Sequence, residues 1–239
     1  MFSGRNTVLG SVEAPIRSRF DTRFERFALV KGQVLQETGD AVEWIYFPES
    51  GLIGLATETA GGESAQCATV GYDGAVGVFE ACGSRRVFHR AVVQAPGQAW
   101  RARAATYREL FDQSSDLRTA VHKLVEVLLA ETRQYVACNA LHSLQSRLAR
   151  LLVDIHDKAR CGDTLPLTQD ALAQMLGVQR TSVALAVASL QKSGVIRRGR
   201  AALEIADRHG LEREACSCRG TLKFTREEIY RSYDQACEA

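Results

Sequence analysis

The sequence predicts an α+β protein in which an antiparallel β-roll precedes a long helix and a smaller, mainly helical domain. Between Phe24 and Ala104, short apolar runs alternate with glycine-containing turns about every ten residues, a pattern typical of antiparallel strands. From Thr106 onward, glycine and proline are absent until Gly162, and apolar residues recur at spacings of three and four. That second pattern predicts helices.

The composition fits a folded chain of two ordinary domains. Its 239 residues include 46% hydrophobic and 24% charged residues, close to the globular average. We predict a β-roll over 1–105, a long helix and linker over 106–138, and a C-terminal domain over 139–239. No apolar run reaches the roughly 18 residues of a membrane helix, and the N-terminus lacks a signal-peptide core, so we expect a cytoplasmic protein that does not contact membranes.

Seven cysteines are scattered along the chain, an odd number that suits reduced thiols better than a disulfide framework. Cys216 and Cys218 lie one residue apart but have no second CxxC partner, and most of the cysteines suit small core positions. The sequence therefore predicts no metal site.

The first long helix carries a broad apolar surface. One stripe follows helical spacing: Leu117, Val121, Leu124, Leu128 and Tyr135. Val125, Val127 and Leu129 widen it. The helix could pack on the β-roll alone or also pair with its own copy, and the breadth of the surface favours pairing. We therefore predict that the stripe forms a homodimer interface.

The second long helix, about 140–159, is predicted to be the first core helix of the C-terminal domain. Its inward residues are Leu141, Leu144, Leu148, Leu151, Leu152 and Ile155. Arg147, Arg150 and Lys158 are predicted to point outward. Gly162 supplies a stop signal after the last turn.

Residues 165–206 hold the most informative pattern, two short helices joined by a glycine turn. Thr168 is a good N-cap for the first helix. Its apolar residues are Ala171, Leu172, Met175 and Leu176. Gly177 permits a sharp turn, after which a second helix, about 179–192, buries Val183, Val187 and Leu190. This arrangement predicts a helix-turn-helix.

The exposed side of the second helix is predicted to begin with Gln179, Arg180, Thr181 and Ser182 and to continue to Leu185, Ala186 and Ser189. Between Thr164 and Arg200 there are five basic residues, and Asp170 is the only acid. The basic stretch Arg197–Arg200 lies between two strand-like runs and is predicted to be the tip of a wing, where cations neutralise phosphates. A three-helix packing unit with solvated charges is the alternative.

The predicted DNA contacts are Thr168, Gln169, Gln179, Arg180, Thr181, Ser182, Leu185, Lys192, Arg198 and Arg200.

At these residues the chain resembles the Crp/Fnr transcription regulators, over about 25–206. The N-terminal match lies at Lys31–Leu35 with Gly39-Asp40, and at Gly71–Glu80. The helix-turn-helix match is the more specific. The resemblance implies a cyclic-nucleotide-binding-like jelly roll, a dimerising central helix and a C-terminal winged helix-turn-helix. It also implies that Arg180 reads guanine, and that Leu185 cannot do so but can contact a thymine methyl.

The sequence departs from the family pattern at the residues that bind the effector, the cyclic nucleotide. The glutamate that binds the ribose in the family corresponds here to Ala75, next to Gly74. The arginine that binds the phosphate in the family is expected to correspond to Arg90. These three residues form the candidate effector pocket, but the missing carboxylate argues against cyclic AMP. No cysteine precedes Cys67, so an N-terminal iron–sulfur cluster is not expected either.

The predicted function is sequence-specific binding of an inverted repeat in double-stranded DNA by a homodimer, without enzymatic activity or cofactor. RNA polymerase is a further candidate partner. One alternative is a small-molecule sensor that acts through protein contacts. Another is a cupin-type enzyme, but only His89 lies in the β region to bind its metal. The tail from Asp207 is predicted to pack on the wing domain or on a partner subunit.

Overall fold

The computed structural model describes residues 5–12, 22–199 and 202–238, with side chains to residue 233. The N-terminal part contains α1 (Thr7–Gly10), β1 (Glu25–Leu29), β2 (Val34–Gln36), β3 (Trp44–Pro48), β4 (Leu52–Glu58), β5 (Ser64–Val70), α2 (Val78–Cys82), β6 (Arg90–Ala95) and β7 (Gly97–Arg103). The rest contains α3 (Ala104–Gln113), α4 (Ser115–Leu141), α5 (Leu144–Ala159), β8 (Thr164–Leu165), α6 (Gln169–Leu176), α7 (Arg180–Lys192), β9 (Ile196–Arg198), β10 (Leu203–Ile205), α8 (Arg208–Glu214) and α9 (Cys218–Glu238).

The N-terminal strands form two antiparallel sheets, in the orders β1-β7-β3 and β2-β6-β4-β5. Phe47 and Ile45 on β3 are fully buried and share a core with Tyr107 of α3. Alternating burial along β6 reflects a sheet with one face toward the core. The α+β class predicted from the sequence, with a β-roll, a long helix and a C-terminal helix-turn-helix, is confirmed.

Helix α4 presents its predicted interface stripe to its own chain. Leu117, Val121 and Leu124 are buried in the β-roll core, and Leu128 packs against it. Tyr135 is half-buried beneath the Arg150 guanidinium, 4.7 Å from the ring centre. The interface prediction therefore needs correction, because the β-roll already covers most of this stripe.

The large apolar residues that α4 leaves exposed are Val125, Leu129, Val136 and, at its last position, Leu141, each at least 42% exposed.

Helix α5 confirms the predicted inward leucines but corrects its charged face. Leu148, Leu152 and Ile155 are buried, whereas Leu141 belongs to the end of α4 and is exposed. Of the basic side chains predicted to point outward, Arg147 and Arg150 are buried and Lys158 is only 12% exposed. The reason is that α5 is covered on several sides, by α6, α7, α8, α9 and the β-roll, and that Arg150 and Lys158 also contact side chains of α4, so the second face of α5 is not open to solvent.

The C-terminal domain docks directly on the β-roll. Gly51 donates its N–H to the carbonyl of Ala159 over 2.7 Å, and Lys31 Nζ donates to the carbonyl of Pro166 over 2.6 Å. Gly71 lies so close to α5 that a Cβ there would come within 2.3 Å of the Lys158 carbonyl oxygen. The two domains therefore share a tightly packed seam in this conformation.

The tail divides in two. Helix α8 packs on α5, with Leu211 in the core of the C-terminal domain, as one of the two predicted alternatives had it, whereas α9 packs along α4 of its own chain. Ile229 of α9 is buried and Phe224 is exposed. Lys123 of α4 lies over the rings of Tyr230 and Tyr233, at 5.5 and 5.6 Å. Within the part of the chain that is described, no helix combines the length and hydropathy needed to cross a membrane.

Candidate nucleic-acid interface

The helix-turn-helix is built by local capping signals. Thr168 is the N-cap of α6, and its hydroxyl accepts a hydrogen bond from the Ala171 N–H over 3.2 Å. Gly177 ends this helix at φ +63°, in the left-handed region that glycine reaches without a Cβ clash. Helix α7 then begins at Arg180, after Gln179 as its N-cap.

A shared apolar core fixes α7 against the domain. Val183, Val187 and Leu190 are 0–1% exposed and join Leu172 of α6 and Leu148 of α5 in one cluster. Burial of three side chains at this spacing leaves the opposite face of α7 in solvent. The buried positions predicted from the sequence are confirmed.

The exposed face of α7 is narrower than the sequence indicated. Gln179, Arg180 and Thr181 are exposed, Ser182 is partly exposed, and Leu185 is 75% exposed. Ala186, however, is buried, and the Ser189 hydroxyl donates to Gln145 Oε1 on α5 over 2.7 Å. The prediction that Ala186 and Ser189 lie on this face is wrong, because α5 covers them.

The remaining predicted contacts belong to α6, to the end of α7 and to the wing. Gln169 is half-buried in the first turn of α6, whereas Lys192 is exposed in the last turn of α7. The wing strands pair in the order β8-β10-β9. Arg198 is exposed, while Arg197 pairs with Glu204 over 3.4 Å. Arg200 lies outside the described residues.

The candidate effector residues are not brought together. Gly74 and Ala75 line a cavity of about 10 Å³ against Leu124 of α4, far smaller than the roughly 300 Å³ of small ligand pockets. Arg90 does not line this cavity, and its guanidinium instead bonds the Glu37 carboxylate over 2.9 and 3.0 Å. In this conformation the turn therefore does not fit a nucleotide.

A largely buried ionic cluster at the domain seam was missed from the sequence. Lys158 of α5 lies 3.2 Å from Glu131 of α4 and 3.8 Å from Asp73 of the β-roll, and Arg226 of α9 pairs with both carboxylates. Burial disfavours a charged carboxylate, but the two cations outweigh it and hold the pKa of Asp73 below its usual value. We call Asp73, Glu131, Lys158 and Arg226 the seam cluster.

The seam cluster borders an open cavity of about 460 Å³ between α4, α5, α8 and α9. Its walls are mostly charged side chains that already pair with one another, such as Arg208 with Asp157 over 2.8 Å. The polar lining distinguishes this cavity from an apolar ligand pocket.

Cys138, His142, Cys216 and Cys218 also converge, with their ligand atoms within 4.8 Å of one another. The sequence predicted no metal site because Cys216 and Cys218 have no second cysteine pair nearby in the chain. The fold brings Cys138 and His142 to them, so that reason no longer holds.

Comparison with known proteins agrees with this architecture. A family model for the Crp-like helix-turn-helix domain matches residues 146–214. No curated protein matches the chain in sequence.

Among solved structures, the chain is similar to FixK2 from Bradyrhizobium japonicum, with a TM-score of 0.68 at 12% identity over 81% of this chain and 98% of that one. It is also similar to CLP, a c-di-GMP responsive global regulator from Xanthomonas campestris, with a TM-score of 0.63 at 16% identity over 81% and 99%. A CRP family transcriptional regulator from Thermus thermophilus gives a TM-score of 0.65 at 19% identity over 80% and 96%. This chain thus carries a Crp-like helix-turn-helix domain on the fold of the Crp/Fnr family of transcriptional regulators.

Proposed function

We propose that the chain is a transcription regulator, not an enzyme, and that it binds an inverted repeat in duplex DNA as a homodimer. The observation that carries the proposal is the exposed N-terminal end of α7, where Gln179, Arg180 and Thr181 face solvent above a buried apolar core. In helix-turn-helix proteins this end of the second helix enters the major groove.

Arg180 is the residue best placed to read a base. Its guanidinium is 64% exposed and its ion-pair partner, Asp170 at 3.5 Å, is equally exposed. A surface pair of this kind contributes little, so the guanidinium is free to exchange Asp170 for the O6 and N7 atoms of guanine. Leu185 offers an apolar contact suited to a thymine methyl.

Phosphate contacts are assigned to α6, to both ends of α7 and to the wing sequence. Thr168, Gln169 and Ser182 offer polar groups near the helix starts, and Lys192, Arg198 and Arg200 supply positive charge. These contacts would position the domain without selecting a sequence.

The homodimer is proposed to form through the exposed side of α4. Val125, Leu129 and Val136 are spaced by four and then seven residues, as in the seam of a two-stranded coiled coil. This surface replaces the stripe that the β-roll covers. A two-fold axis through it would present two copies of α7 to DNA.

Selection of bound fragments from a random duplex pool tests the DNA proposal. We expect an inverted repeat whose half-sites are centred about one helical turn, roughly 34 Å, apart. Recovery of unrelated sequences, or no binding in dilute salt, would contradict the proposal and favour a sensor that acts through protein contacts.

The Leu129→Glu variant tests the dimer. Placing two carboxylates at the proposed two-fold seam should convert the dimer to monomer in sedimentation equilibrium and weaken binding to the full repeat. Val30→Glu, at an exposed apolar position of the β-roll, is the matched control. A dimer that survives Leu129→Glu would place the interface elsewhere.

A further inference from the structure

Four potential metal ligands meet where the central helix ends. Cys138 lies in the last turn of α4, and His142 is the C-cap, whose N–H bonds the Cys138 carbonyl over 3.1 Å. Their spacing of four residues puts both side chains on one face. Cys216 lies between α8 and α9, and Cys218 opens α9.

The three cysteines are shielded from solvent. Cys138, Cys216 and Cys218 are at most 7% exposed and form a small cluster of their own, while His142 is half-buried at its edge. Of the four side chains, His142 is therefore the one most open to solvent.

The spacing of the ligand atoms fits a single tetrahedral ion. Cys138 Sγ lies 3.5 Å from Cys216 Sγ, and Cys218 Sγ lies 3.4 Å from His142 Nδ1. Zinc–sulfur bonds of about 2.3 Å in a tetrahedron separate two sulfurs by about 3.8 Å. A disulfide needs about 2.05 Å, and an iron–sulfur cluster would interpose several atoms between the ligands.

The surroundings suit metal-bound thiolates. Gln134 Nε2 donates to Cys218 Sγ over 3.1 Å, a contact of the kind that orients metal ligands. Arg150 lies close enough to interact electrostatically with Cys138 and Cys216. Three thiolates, a neutral imidazole and Zn²⁺ sum to one negative charge, and Arg150, which also pairs with Asp154 over 2.7 Å, is the cation beside them.

We propose that Cys138, His142, Cys216 and Cys218 bind one Zn²⁺ ion, which fastens the segment after the helix-turn-helix domain to the end of α4. On binding, the three thiols lose their protons to solvent and each sulfur forms a bond to zinc. His142 and Ser143 are the connection between α4 and α5, so the ion fixes the joint between the central helix and the DNA-binding domain. The zinc proposal does not rest on the proposed DNA binding, and each can be tested without the other.

Metal analysis of the full-length protein, purified with reductant, tests the proposal. We expect one zinc per chain, and tetrahedral thiolate-to-cobalt absorption after replacement by Co²⁺. Cys216→Ser should abolish stoichiometric zinc, whereas Cys67→Ser, at an exposed cysteine outside the site, should retain it. Chelation should lower the melting temperature of the wild type but not of Cys216→Ser.

Two further variants keep the test decisive if Cys216→Ser fails to fold. His142→Cys retains four ligands and should keep zinc with an altered cobalt spectrum. Gln134→Ala should lower zinc affinity about 10- to 100-fold. The proposal is overturned if the wild type binds neither zinc nor cobalt, if Cys67→Ser loses as much metal as Cys216→Ser, if Gln134→Ala leaves affinity unchanged, or if iron and sulfide are recovered instead.

Discussion

Two groups of basic residues in the C-terminal half have opposite environments. Arg180, Lys192 and Arg198 are exposed on the helix-turn-helix and wing. Lys158 and Arg226 are held at the seam by buried carboxylates from the β-roll and α4. The comparison shows that a basic side chain in this domain can contact DNA only where no carboxylate at the seam already pairs with it. The first group should therefore affect binding and the second group stability.

The largest effect is expected at the seam cluster. Lys158→Met removes one cation and leaves Asp73 and Glu131 with Arg226 alone. Breaking a buried ion pair typically costs about 3–5 kcal/mol, so the free energy of unfolding should fall by about that amount. Denaturant titration measures it, with Arg231→Ala, at an exposed position of α9, as control. A loss below about 0.5 kcal/mol, the range of ordinary surface substitutions, would mean that the cluster contributes no more than exposed pairs.

A smaller and different effect is expected at Arg180. Arg180→Ala should weaken specific binding by about 1–3 kcal/mol, because one bidentate base contact is lost, while stability stays within about 0.5 kcal/mol. Fluorescence anisotropy on the selected repeat and on unrelated duplex, at matched salt, measures both affinities. Equal losses on the two duplexes would identify Arg180 as a phosphate contact.

The smallest effect is a pH dependence. The pKa of Asp73 is lowered in the folded state, so this group favours folding above its unfolded pKa of about 3.8 and loses that contribution as the pH falls through the folded value. The stability gap between wild type and Asp73→Asn should therefore narrow on acidification below roughly pH 4. Denaturant titrations at several pH values test this, with the exposed Asp40→Asn as control. A gap that is constant with pH would exclude the ionised carboxylate as its source.

How well the sequence predicted each part depended on the range of the interactions. Thr168, Gly177 and the buried valines of α7 were predictable because capping and helical spacing act within a few residues. The burial of Arg150 and Lys158 was not, since it follows from docking of two domains. The four zinc ligands come from segments more than 70 residues apart, and no local pattern joins Cys138 to Cys216. The prediction that the apolar stripe of α4 forms the dimer interface failed for a similar reason. Periodicity shows that a helix face is apolar but not which part of the protein covers it.

The missing side chain at Gly71 has a consequence for how the molecule could evolve. Because only a hydrogen fits between this Cα and the α5 backbone, any side chain at position 71 would push the β-roll and the C-terminal domain apart. The side chains of alanine, serine and valine, in this order, would separate the two surfaces by increasing amounts. Substitutions at this one position would therefore loosen the packing of the β-roll on the C-terminal domain by degrees. None of them would alter a residue that is proposed to contact DNA.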